Sequence, residues 1–203
     1  MTDKYEFEIL PLFSDVVSIT HLKVNNKNIL KHLKKLKYKK RHNYEKIKSF
    51  ISNDLSILNN LIDLELEIKK GIEMYIKNVL MQNTNFRITN SWASKTEPKA
   101  FCNKHQHCNS WLSAVYYPEG CGDFKIRLHT PKPKLFLDHI KEYNIYNSSI
   151  FDISAEDNML LIFPSILAHE ILINTSKKTR YSIALNIVPQ GKILEGTDSQ
   201  LVI

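Results

Sequence analysis

At 203 residues, with 43% hydrophobic and 24% charged content, the chain has the make-up of an ordinary globular protein, long enough to bury one sizeable core. No stretch reaches the unbroken apolar length of a membrane helix, and Met1-Thr2-Asp3-Lys4 lacks the basic-then-apolar pattern of a secretory signal, so the expectation is a single soluble, cytoplasmic domain over 1–203 with no membrane partner. The three cysteines, Cys102, Cys108 and Cys121, are odd in number and show no CxxC spacing, which argues for free thiols over a disulfide framework.

Much of the formal charge of +7 sits in the run from Lys31 to His42. Leu30, Leu33 and Leu36 recur there at helical spacing, which predicts an amphipathic helix with a solvated basic face. Such a run could also meet phosphates or an acidic partner, but it is not interleaved with aromatics as a strand-binding groove is, so nucleic acid is open without being favoured. The helical pattern extends from about Asn26 to Gln82. Leu61, Leu64, Ile68, Ile72, Tyr75, Ile76 and Val79 fall on one face, the stripe a helix needs to lie on a sheet. Ser52-Asn53-Asp54 reads as a break or cap between an earlier helix and this one.

From Asn85 the period shifts to two, with Phe86, Ile88, Asn90 and Trp92 alternating against polar neighbours. Further strands are expected at 111–117, 123–128, 158–163, 168–173 and 180–188, separated by turn-like stretches such as Pro118-Glu119-Gly120 and Pro131-Lys132-Pro133. Many short strands without intervening helices predict an α+β fold. Its core, about 85–190, is an antiparallel barrel or jelly roll, buttressed by the helices of about 26–82. Exposed barrel edges make a homodimer an open partner reading.

The densest chemical signal is His105-Gln106-His107. On an extended segment both imidazoles share a face while Gln106 points away, a geometry that can chelate a metal. A third histidine, His169, opens the apolar run Ile171-Leu172-Ile173. Arg180 begins the next strand, with Ser182 on its face; an arginine turned into a barrel needs an anion, and its planar fork suits a carboxylate.

In this order (His-x-His, a strand, a distant His, then Arg-x-Ser) the sequence resembles the iron and 2-oxoglutarate dependent oxygenases. More narrowly, it is similar to the small HxH group of marine bacteria and their phages, with prolyl hydroxylases as distant relatives. The matching stretches are residues 105–117, 161–170 and 180–186. The resemblance implies a double-stranded β-helix and an Fe(II)-dependent hydroxylase that consumes 2-oxoglutarate and O2 and releases succinate and CO2. The host cytoplasm is the implied location if the gene is phage-borne. Carried over residue by residue, it makes His105, His107 and His169 the metal ligands. Arg180 becomes the clamp on the distal carboxylate of 2-oxoglutarate, helped by Ser182 and Tyr117. A one-residue slip would exchange Tyr117 for Tyr116. His107 stands where relatives place an aspartate or glutamate. Glu170, which alternation turns away from His169, and Asp123 and Glu119 are the other carboxylates in view. The substrate, a small molecule or a peptidyl side chain, is not named by these residues. Two other readings compete: a three-histidine dioxygenase that oxidises its substrate without a keto acid, and a non-catalytic jelly-roll module holding zinc or no metal.

Overall fold

A computed structural model describes residues 8–41, 47–120, 122–132 and 139–203. Strand β1 (Ser18–His21) leads into helix α1 (Asn26–Lys35), then β2 (Tyr38–Lys40) and β3 (Ser49–Ser52). A 3-10 turn at Ile57–Asn60 precedes α2 (Ile62–Met74), which runs on as a π turn over Tyr75–Val79. The remaining elements are strands. They are β4 (Asn85–Thr96), β5 (Cys102–His105), β6 (Leu112–Tyr117), β7 (Lys125–His129), β8 (Ile150–Ser154), β9 (Met159–Pro164), β10 (His169–Ile171) and β11 (Arg180–Gln190), with the short pair β12 (Lys192–Ile193) and β13 (Leu201–Val202).

The larger sheet has the order β1-β9-β6-β11-β4-β3-β2 and the smaller β5-β10-β7-β8, all pairs antiparallel. From β4 to β11 the chain passes back and forth between the two sheets, the antiparallel jelly roll expected from the strand pattern and the double-stranded β-helix that the resemblance implied. Side chains of period two divide the larger sheet into two faces. Val115, Tyr117, Met159, Leu161 and Phe163 turn inward and meet Phe124, Ile126, Leu128 and Ile153 of the smaller sheet. Ala114, Tyr116, Leu160, Ile162, Ile183, Leu185 and Ile187 turn outward beneath Leu64, Ile68, Ile72 and Tyr75. Strands β6 and β9 are thus buried on both faces, which is why they read as unbroken apolar runs. Helix α2 lies close on β9: a Cβ placed on Gly71 would come 2.9 Å from Leu160 Cδ2.

The N-terminal half departs from a purely helical reading. Asn25 caps α1 by accepting from the Lys27 N–H at 3.0 Å, but the helix ends at Lys35, because Leu36 turns to an extended backbone with ψ 151°. Tyr38 Oη then donates to the Leu33 carbonyl at 2.8 Å, and the basic run continues as the edge strand β2, with Lys39 and Lys40 exposed as suits an unpaired sheet edge. His42 lies outside the described residues, as does Cys121. The break at Ser52–Asp54 is real, but it separates β3 from the 3-10 turn and not one helix from another. Val79 leaves the buried stripe: the Leu80 N–H bonds back to the Tyr75 carbonyl at 3.0 Å, five residues away, and the wider π turn rotates Val79 into solvent.

Candidate active site

Each histidine of the candidate triad arrives by a separate structural route. His105 ends β5 and is the direct cross-strand partner of His169, which opens β10. His107 follows in the turn after β5, where its backbone N–H donates to the Ser165 carbonyl at 3.2 Å. The three rings converge. Their centroids are 4.4 Å (His105 to His169), 5.3 Å (His105 to His107) and 5.2 Å (His107 to His169) apart, and one potential ligand atom from each lies within 4.8 Å of the others.

Every Nδ1 is already committed. That of His105 lies 2.7 Å from the Asn103 carbonyl and that of His169 3.0 Å from the Leu167 carbonyl. A carbonyl only accepts, so both rings carry their proton on Nδ1 and the lone pair on Nε2. Nδ1 of His107 meets Asn186 Oδ1 at 2.7 Å and Ser113 Oγ at 3.2 Å, and Ser113 in turn bonds Ser165 at 2.8 Å. Outer partners of this kind fix the tautomer and aim of metal-binding imidazoles. Burial, reinforced by the neighbouring histidines, pushes His169 down to about 3, and burial likewise lowers His107, so both are neutral at ordinary pH as a ligand must be. The donor set therefore fits a divalent transition metal.

No carboxylate joins the triad among the described residues. Glu170 points to the other side of β10, where its Oε1 lies 3.0 Å from His129 Nε2, and Asp123 and Glu119 are exposed.

Beside the triad, Arg180 is 6% exposed, with its guanidinium 5.0 Å over the Phe124 ring. Phe124 packs edge-on against Tyr117 at 5.1 Å. The Tyr117 hydroxyl is buried without a hydrogen-bond partner among the described residues, and burial holds its ionisation well above the usual phenol range. Tyr116 faces the opposite core and donates to Asn26 Oδ1 at 2.5 Å. The orphaned hydroxyl of Tyr117, on the same Phe124 ring as a buried guanidinium, is a donor that a carboxylate of a bound keto acid would meet.

At the triad lies a cleft with about 430 Å³ of free space, its mouth included, lined by Trp92, Ser94, Val115, Ser182 and the three histidines; Ser182 shares its strand face with Arg180. A larger hollow between α1 and α2, with about 1570 Å³ of free space, its mouth included, contains no histidine or arginine and lies on the outer side of the larger sheet. Two residues of the site escaped the sequence reading. Asn186 shares a strand face with Arg180 and Ser182, a period-two signal that was available. Arg41, assigned to a solvated basic face, instead turns into the cleft, and its Nη2 donates to Ser94 Oγ at 2.8 Å.

The sequence model of the family described as "Putative 2OG-Fe(II) oxygenase" matches residues 90–186, a span that holds all three histidines, Arg180 and Ser182. The β-helix core, residues 90–186, thus matches the 2OG-Fe(II) oxygenase family. Solved structures carry the same fold at low identity. HygX from Streptomyces hygroscopicus, crystallised with nickel, 2-oxoglutarate and hygromycin B, is 9% identical; the match covers 86% of this chain and 83% of that chain, with a TM-score of 0.62. A Pseudomonas putida prolyl-4-hydroxylase is 16% identical over 85% and 93% of the two chains, with a TM-score of 0.58. The 2-oxoglutarate dependent epimerase SnoN of nogalamycin biosynthesis is 9% identical over 86% and 78%, with a TM-score of 0.61. Comparison with curated protein sequences finds no match. No helix among the described residues is long and apolar enough to cross a membrane.

Proposed function

We propose that this oxygenase hydroxylates an organic substrate while converting 2-oxoglutarate to succinate and CO2, one atom of O2 entering the product and the other the succinate. The observation that carries this reading is the triad at the wall of a cleft: three imidazoles with every Nδ1 engaged converge there, and Ser182, two residues along the same strand face from the buried Arg180, lines the same space. His105, His107 and His169 would hold Fe(II), which supplies O2 activation when bound.

The chain's own groups do the rest. Arg180 offers parallel N–H donors to the distal carboxylate of 2-oxoglutarate, and Tyr117 and Ser182 add hydroxyls at that end. Because all three ligands are neutral, a ferrous site keeps its full divalent charge, which dianionic 2-oxoglutarate would cancel. Phe124, packed edge-on against Tyr117, lies against the buried guanidinium, excludes water from it and strengthens its hold on an anion.

The test is the stoichiometry of the protein loaded with Fe(II) and 2-oxoglutarate in air. Succinate formation and O2 uptake are expected to rise together even without a prime substrate. O2 uptake without succinate would move the assignment to a three-histidine dioxygenase that uses no keto acid.

A further inference from the structure

We propose that Arg41 and Trp92 form a second anion-binding position in this cleft, and that the prime substrate presents a carboxylate or a phosphate there. The inference deepens the oxygenase reading and rests on it. Arg41 follows the edge strand β2, and its backbone N–H donates to the Ser49 carbonyl at 2.9 Å. Its side chain crosses to Ser94, the register partner of Ser182 on β11. The guanidinium thereby reaches a cleft whose wall is the histidine triad, beside Cys102.

Its hydrogen bonding is incomplete. Among the described residues Ser94 Oγ is the acceptor for Nη2 and the Cys102 thiol is a further side-chain partner, while the buried Nε has none. Arg127 shows the contrast, with both oxygens of Asp152 bound through Nε at 2.6 Å and Nη2 at 2.8 Å. Trp92, whose ring lies 5.7 Å from that of His107, lines the same cleft and leaves its indole N–H buried and unpartnered. Both groups only donate, so an acceptor is what they lack. Among the described residues the triad brings no carboxylate that could serve as that acceptor. An arginine fork is suited to a carboxylate or phosphate group of the substrate.

The experiment uses Ni(II)-loaded protein saturated with 2-oxoglutarate and titrated calorimetrically with acetate or inorganic phosphate, at ionic strength held constant with chloride. Acetamide is the neutral control. At least one anion is expected to bind saturably and acetamide not to bind. Arg41→Gln should weaken that anion about tenfold or more while 2-oxoglutarate affinity stays within about threefold. The anion preferred distinguishes a carboxylate-bearing from a phosphate-bearing substrate. Should Arg41→Gln not fold, Trp92→Phe carries the same comparison, since it keeps a smaller aromatic ring and removes the N–H donor. The proposal is overturned if neither anion binds the loaded wild type, if the variant binds it equally well, or if the variant loses 2-oxoglutarate itself, which would give Arg41 to the co-substrate. Failure of the wild type to bind 2-oxoglutarate would instead defeat the oxygenase reading of the site.

Discussion

Asn186 holds His107 through its Nδ1, so its loss should be felt at the metal and not in the core. Asn186→Ala is expected to lower Ni(II) or Fe(II) affinity about 10- to 100-fold, read by competition with a chelator, and unchanged affinity would show that His107 needs no such partner. Tyr117 makes the opposite kind of prediction. Removing an unpartnered buried hydroxyl relieves a desolvation cost, so Tyr117→Phe should leave the ligand-free protein as stable or up to about 1 kcal/mol more so, while weakening 2-oxoglutarate about tenfold. Thermal melts and a 2-oxoglutarate titration check the two halves separately. The histidines and Arg180 were legible as residues because metal and carboxylate chemistry restricts the side chains that serve. Tyr117 and Tyr116 could not be told apart in the sequence, where a one-residue slip exchanges them; the fold puts them in different cores. Arg41 was not legible: nothing in a run of lysines marks the cation that a hairpin turns inward.

At the level of elements, α2 divides into a regular part that periodicity foresaw and a π turn that it did not. Ile68, fully buried under the larger sheet, should cost about 2–5 kcal/mol when cut to alanine, whereas Val79→Ala, at 46% exposure, should stay within about 0.5 kcal/mol. Equal losses in denaturant melts would mean that the helix keeps its phase through Val79. Strands β4, β6, β9 and β11 were readable because two packed faces or a clean alternation write their period into the sequence. Strands β1, β2, β3 and β5 were missed for a physical reason: three or four residues each, they are shorter than a pattern needs, and Cys102–His105 has no apolar alternation. Pairing with longer neighbours makes them strands, and only the fold supplies those neighbours.

For the whole molecule, buried phenols link stability to alkaline pH. Burial raises Tyr75 to about 12 and drives Tyr38, Tyr116 and Tyr117 further up. Their folded pKa values exceed the unfolded value near 10, so the stability they contribute is complete below about pH 10 and is lost as pH rises toward about 12 and beyond. Phenolate absorbance should therefore rise in two stages, with these four of the nine tyrosines ionising only as the protein unfolds; a single stage complete before the circular dichroism changes would contradict that burial. The central claim, that one cleft holds both a three-histidine metal and 2-oxoglutarate, is tested most directly without oxygen, by loading Fe(II), adding 2-oxoglutarate and watching for the visible charge-transfer band of the chelated keto acid. The account predicts a band in the wild type, its loss in His169→Ala, and in Arg180→Ala its appearance only at much higher 2-oxoglutarate. Iron bound with no band, or a band indifferent to both substitutions, would contradict it.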